Sequence, residues 1–458
     1  MTQEEALTVL KTGANIFLTG EPGSGKTHTI NRYVAYLREH NIEPAITAST
    51  GIAATHIKGM TIHSWSGIGI KERLSAYDLD KIASTERVAK RIMHTRVLII
   101  DEISMLAAHT FDMVEAVCRV VRRSSKPFGG LQVVVVGDFF QLPPVLKKNF
   151  VAEEEASLDF VEEGSIPRTP FAYTSSAWQR LNPIVCYLEE QHRQEDDTFL
   201  EVLSAIRAGE VGTTHTEHIK SRIVEAAHTP RMSVRLFPHN ADVDRINDVE
   251  LKKIHGVERS FSMRSSGSAA AVESLKRGCL SPELLMLKVG ASVMFTKNNP
   301  AGSFVNGTLG TVTGFGASGA PIVKTLSGAR IVAEPMEWVV EEDGKVKARI
   351  AQVPLRLAWA ITVHKSQGMS LDSAVVDLSE AFEYGQGYVA LSRVRSLKGL
   401  YLLGVNKRAL EVHPEALEQD AQFREQSASA SQTFGRMKGS EIKEMHNYFL
   451  KGAGGILK

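Results

Sequence analysis

Residues 15–27 read NIFLTGEPGSGKT, an apolar run followed by a glycine-rich loop of the form G-x-x-x-x-G-K-[ST], and from His28 the chain continues as the amphipathic segment HTINRYVAYLREH. Strand, loop and helix in that order make a phosphate cradle. Gly20, Gly23 and Gly25 let the backbone close around phosphates, with Ser24 between them. Successive N–H groups and the helix N-terminus supply positive potential. Lys26 reaches the terminal phosphates, and the Thr27 hydroxyl can ligate Mg²⁺. A glycine-rich turn without a ligand is the alternative, and the flanking strand and helix argue against it.

Outward from this loop, similar apolar runs recur at AITAS (45–49), VLIID (97–101) and LQVVVVGD (131–138), separated by amphipathic segments. Runs this apolar read as strands buried on both faces, hence a parallel α/β sheet with crossover helices. The run VLIID ends in Asp101-Glu102, where Asp101 suits Mg²⁺ and Glu102 suits the attacking water. An acidic pair at a strand end is often only solvated; about 75 residues after a phosphate loop it reads as chemistry. In VVVVGDFFQLPPV the rigid turn after another strand carries Gln141, a candidate γ-phosphate sensor, with a solvated loop glutamine as the alternative.

Texture divides the chain. The acidic stretch between Lys147 and Pro170 marks a boundary, giving a first domain over 1–175 with an insertion at about 67–92. A second α/β domain follows in two pieces, 176–288 and 351–418, with strands expected at SVRLFPH (233–239), RLAWAIT (356–362), SAVVDL (373–378) and GLYLLGV (399–405). Between them, 289–350 turns to short β-branched strands with glycine turns, the pattern of a small antiparallel barrel. The polar tail, 419–458, is expected to be mobile.

Composition narrows the function classes. With 53 Lys+Arg against 52 Asp+Glu and 43% hydrophobic residues, the chain can build several cores, and a nucleic-acid partner would need a local basic groove. Three widely spaced cysteines signal neither a disulfide framework nor a metal cluster. The absence of a signal-like amino terminus or a long apolar run implies a cytoplasmic protein with no membrane partner.

Seven segments taken in order carry a resemblance: GEPGSGKT, STGIAATHIKGMTIHSW, DEISML, GDFFQLPPV, LEEQHRQ, AITVHKSQGMSLDSAVVDL and YVALSRVRS. From about Gln3 to Asn406 the chain resembles the petite-integration-frequency (PIF) family of superfamily 1 DNA helicases, relatives of RecD, with the family's signature region in FDMVEAVCRVVRRSSKPFGG (111–130). The resemblance implies two RecA-like domains, a wedge at 67–92 and an SH3-like barrel at 289–350. It implies ATP and Mg²⁺, with Lys26, Glu102, Gln141, Arg193 and Arg393 catalytic. Gln3 would read adenine through its side-chain amide, and Thr29 and Gly368 would join the nucleotide side. Arg193 and Arg393 match arginines that reach into the cleft from the second domain, work suited to a permanently charged planar fork.

For single-stranded DNA, the small and hydroxylated residues around Thr50, with His63 and Trp65, suit backbone contact and base stacking. Burial in a core is the equal alternative for Trp65. By resemblance Asn298, His364, Lys365 and Ser366 also meet the strand, with turn formation the alternative for Asn298. The family implies a monomer moving 5′ to 3′, acting on forked duplexes, G-quadruplexes or RNA–DNA hybrids alongside a single-strand-binding protein, in replication, repair, recombination or telomere maintenance. Two rival readings stay open: a DNA-dependent ATPase that strips proteins from single strands, and a RecD-like subunit of a recombination complex.

Overall fold

The apolar runs of the first third do form one parallel sheet. In this computed structural model, which describes residues 1–457 except 58, 70, 145–170, 191–195, 226–227, 231–233, 239, 298, 300–301, 305, 326, 343–344, 364–365 and 368–370, its six strands are β1 (Ile16–Gly20), β2 (Ala45–Ala48), β3 (Met60–Thr61), β4 (Val97–Asp101), β5 (Gln132–Val136) and β6 (Ile184–Leu188). They lie in the order β3-β2-β4-β5-β1-β6, with all pairs parallel. Side chains alternate between faces. Phe17, Leu98, Ile100, Val133 and Val135 enter one core, while Ile16, Leu18, Val97, Ile99 and Val134 enter the other. Both faces are therefore apolar, which is why the strands read as continuous rather than alternating runs.

Contacts divide the chain into two units, one of Met1–Thr50, Ile57–Gln194 and Val412–Lys458, the other of Gly51–His56 and Glu195–Glu411. This corrects two boundaries. Ile184–Leu188, assigned by sequence to the second domain, pairs with β1 along its whole length and closes the first sheet. The tail expected to be mobile is two helices, Pro414–Arg436 and Gly439–Ala453, which complete the first unit.

Their packing explains why the tail orders. β6 is an edge strand, and an uncovered edge exposes unpaired backbone donors. The helix Pro414–Arg436 crosses this edge. Ala416 and Phe423 reach the core on one face of the sheet, whereas Ala430 and Phe434 pack against the core on the other. Between them the Ser427 hydroxyl accepts a 2.9 Å hydrogen bond from the Tyr187 backbone N–H. Tyr187 in turn donates from its hydroxyl to Asp420 at 3.0 Å, and the Arg424 guanidinium lies over its ring.

Four further helices belong to the first unit. Helix α1 (Gln3–Leu10) starts with a capping box between Thr2 and Glu5, and α2 (Lys26–Glu39) starts at the phosphate loop. The interval at 67–92 holds the helices Ala76–Ser84 and Glu86–His94.

In the second unit a four-stranded parallel sheet has the order Ala360–Thr362, Val234–Phe237, Ala374–Leu378, Leu400–Val405. A five-stranded antiparallel sheet of Arg330–Val332, Pro321–Thr325, Leu309–Phe315, Ser292–Phe295 and Leu355–Leu357 forms the inserted β region. RLAWAIT, expected as one strand, is thus two: Leu355–Leu357 joins the insertion and Ala360–Thr362 the parallel sheet. The insertion also reaches beyond 289–350. Met336–Glu342 pairs with Lys345–Gln352, which pairs in turn with Arg264–Gly267, and Arg259–Ser262 pairs with Leu284–Leu287. The sequences RSFS and RSSG are too polar to announce strands.

Candidate active site

The C-terminal ends of β1, β4 and β5 bring the candidate nucleotide residues together on adjacent strands, where α/β sheets place their ligands. At β1 the loop turns through left-handed glycines, Gly20 at φ 143°, Gly23 at 95° and Gly25 at 88°. A side chain at Gly25 would sit 2.2 Å from Gln3 Nε2. Gln3 thus lies against the loop, donating from Nε2 to the Ser24 carbonyl at 3.3 Å, while its backbone N–H donates to Glu190 at 3.0 Å. Lys26 Nζ donates to the carbonyls of Gly20 and Glu21 at 2.7 and 3.0 Å. The Ser24 hydroxyl is buried with no partner among the described residues. A glycine cradle, a charged lysine, an exposed Thr27 at the start of a 14-residue helix and a buried hydroxyl together fit a nucleoside triphosphate.

At β4, Asp101 is half-buried. Burial raises its pKa above the usual carboxylate range, opposed by the hydrogen bond from the Glu102 N–H and by the charge of Lys26. That N–H donates to Asp101 Oδ1 at 2.8 Å. Glu102 adopts φ 52°, ψ 47°, left-handed backbone that a glutamate holds only when its surroundings impose it. At β5, Asp138 is buried and organises the following loop. Its Oδ1 accepts from the Phe140 N–H at 3.2 Å, and its Oδ2 accepts from Gln141 Nε2 at 3.5 Å. Gln141 is therefore held rather than solvated. Sequence reasoning assigned no role to Asp138 or Glu190, although both lie within the motifs GDFFQLPPV and LEEQHRQ.

Three candidates are buried, and for Trp65 this is the core alternative that the sequence left open. Trp65 is 1% exposed and packs in the first unit's core, so its ring offers no stacking face. Ser366 is 0% exposed and donates its hydroxyl to the Val363 carbonyl at 2.7 Å, so it is a turn residue rather than a strand contact. Thr29 is likewise buried, with its hydroxyl donating to the Gly25 carbonyl at 3.1 Å inside the helix. Thr50 and His63 are half-buried. Burial, then the charge of His109, holds the His63 pKa below its ordinary value. In the second unit Arg393 is 2% exposed, donating from Nε to the Val389 carbonyl and from Nη2 to Ser392 Oγ, both at 2.9 Å. Arg193, Asn298, His364, Lys365 and Gly368 lie outside the described residues.

A parallel sheet with a phosphate loop after its first strand and an Asp-Glu pair on another defines a P-loop nucleotide hydrolase of RecA-like fold. Residues 3–217 match the PIF1-like helicase family and residues 272–315 the 2B domain of DNA helicase Pif1. The chain is 41% identical to the ATP-dependent DNA helicase Pif1 of a Psychrobacter strain, an alignment covering 100% of this chain and 76% of that one. The human ATP-dependent DNA helicase PIF1 is 37% identical and longer, this chain covering 62% of it. Among solved structures, Bacteroides Pif1 in complex with ADP-AlF4 superposes with TM-score 0.78 at 28% identity, covering 92% of this chain and 96% of that one. Bacteroides Pif1 bound to single-stranded DNA gives TM-score 0.63 at 28% identity, with the same coverage. The chain belongs to the PIF1-like helicase family and is accordingly an ATP-driven DNA helicase.

Proposed function

We propose that the protein moves along single-stranded DNA from 5′ to 3′ and parts the duplex ahead of it, driven by ATP hydrolysis. The observation that carries this reading is the convergence of Lys26, Asp101, Glu102 and Gln141 at the ends of three adjacent strands, beside Gln3. In the proposed cycle Lys26 grips the terminal phosphates and Gln3 meets the adenine. Glu102 aligns the attacking water, and Gln141 senses the γ-phosphate. Thr27 and Asp101 would hold Mg²⁺, which when bound neutralises developing phosphate charge. Arg193 and Arg393 would stabilise the charge of transfer.

The related proteins support these assignments by their ligands, ADP-AlF4 in one Bacteroides structure and single-stranded DNA in another. Strand contacts are assigned to Thr50, His63 and the segment holding His364 and Lys365. G-quadruplexes and RNA–DNA hybrids are proposed as further substrates, within replication, repair, recombination or telomere maintenance, with the protein acting as a monomer. The test is strand displacement on paired duplexes with either a 5′ or a 3′ single-stranded tail, with ATP and Mg²⁺. Release from the 5′-tailed substrate alone is expected. Release from the 3′-tailed substrate instead would reverse the direction, and ATP turnover without release from either would favour the protein-stripping rival.

A further inference from the structure

The strained backbone of Glu102 is held from outside its own strand. In the sheet Ala48 lies opposite Asp101, so the next residue beyond β2, Ser49, stands beside the turn at Glu102. The Ser49 N–H donates to the Asp101 carbonyl at 3.2 Å and its hydroxyl to the Glu102 carbonyl at 2.8 Å. Two residues earlier the Thr47 hydroxyl makes an analogous bond to the Ile99 carbonyl at 2.7 Å. The end of β2 is thus stapled to the end of β4 by side-chain hydroxyls as well as by the ladder. Ser49 itself is buried.

Immediately after Ser49 the chain changes units. It leaves the first unit after Thr50, forms the helix Gly51–His56 of the second unit, and returns at Ile57. That helix packs on Ala269–Gly278 of the second unit. A displacement of this segment therefore pulls on Ser49 through one residue of chain, and a hydrogen bond passes it to the left-handed turn at Glu102. Such a turn, disfavoured for any residue but glycine, moves when its support moves.

We propose that Ser49 is a positioning residue for Glu102, and that single-stranded DNA touching the segment after it raises the rate of hydrolysis through the Ser49–Glu102 hydrogen bond. The inference rests on the reading in which Glu102 aligns the attacking water and the strand meets the chain near Thr50.

The experiment uses the full chain as wild type, Ser49→Ala and Ser49→Thr. Steady-state ATP turnover is measured with and without saturating oligothymidine, alongside oligothymidine affinity by fluorescence anisotropy and the melting temperature. Ser49→Ala is expected to lose about tenfold in oligothymidine-stimulated kcat, the scale set by one oriented hydrogen bond. KM for ATP and oligothymidine affinity should stay within about twofold, since one bond to Glu102 touches neither ligand. Ser49→Thr, which keeps the hydroxyl, should restore stimulation. Equal stimulation in Ser49→Ala and wild type would overturn the proposal. So would a matching loss of oligothymidine affinity, which would make Ser49 a strand contact. Should Ser49→Ala fail to fold, Ser49→Cys, a weak donor of similar size, carries the same expectations. A wild type that oligothymidine does not stimulate would instead defeat the underlying reading of strand-driven turnover.

Discussion

The ends of β1, β4 and β5 and the candidate strand-contact segments make an instructive contrast. At the strand ends, the charged and amide-bearing residues expected to meet the nucleotide converge in one unit: Gln3, Lys26, Asp101, Glu102 and Gln141. Among the strand-contact candidates that the structure describes, Trp65 and Ser366 are buried and committed to internal packing. Charged side chains are rarely buried without a functional or ionic reason, so their type alone argues for chemistry. An indole or a hydroxyl serves a core or a ligand equally well, and only the fold decides. Breaking the nucleotide side should therefore cost turnover while sparing the fold, and breaking the other side should do the reverse.

The largest expected effect is on turnover. Lys26→Ala should lower ATP hydrolysis by about a thousandfold or more, because a preorganised charge aimed at the transferring phosphate is worth that much. Its melting temperature should match wild type, since Lys26 is bonded to loop carbonyls rather than to a core. Turnover close to wild type would remove the lysine from the site. Trp65→Ala should act in the opposite sense, destabilising the first unit by about 3–5 kcal/mol as a deleted core aromatic does. If Trp65 instead stacked on a base, the variant would keep its melting temperature and lose about 1–3 kcal/mol of single-strand affinity.

The same contrast shows what was legible in the sequence. The phosphate loop is contiguous, so strand, glycines, lysine and helix could be read in one pass, and the apolar runs exposed a sheet covered on both faces. The helix Pro414–Arg436 was illegible because polar and small residues interrupt its buried stripe. Ala416, Asp420, Phe423, Ser427, Ala430 and Phe434 follow one another at three- and four-residue steps on one face, and Asp420 and Ser427 interrupt the apolar pattern there. RLAWAIT looked like one strand because nothing local marks the point where the chain passes from the inserted sheet to the parallel one. The turn at Glu102 and its tie to Ser49 depend on a β2–β4 register that no short motif encodes.

A smaller effect tests the edge-covering helix. Ser427→Ala removes the acceptor for the buried Tyr187 N–H, and an unpaired buried donor costs about 1–3 kcal/mol. Faster hydrogen exchange at the Tyr187 amide should accompany the lower melting temperature. Unchanged exchange there would mean that the edge is held by packing alone.

The smallest effect concerns the last helix and its pH response. His446 Nε2 donates to the Thr8 carbonyl at 2.9 Å, tying Gly439–Ala453 to α1. Burial lowers the His446 pKa, the hydrogen bond to Thr8 partly restores it, and the charge of Lys11 lowers it again. Both the neutral and the charged ring can make this bond, so protonation costs stability through desolvation and repulsion rather than through a lost contact. With its folded pKa below the unfolded value of about 6.5, the imidazole binds protons more readily in the unfolded chain. Its contribution is therefore complete above about pH 6.5 and fades as the pH falls toward the folded pKa. His446→Gln should flatten this dependence, leaving a melting temperature less sensitive to acidification between about pH 7.5 and 5.5, with a difference on the order of 1 °C. A steeper dependence in the variant would show that His446 is charged when docked, and would reverse the assigned direction of its pKa.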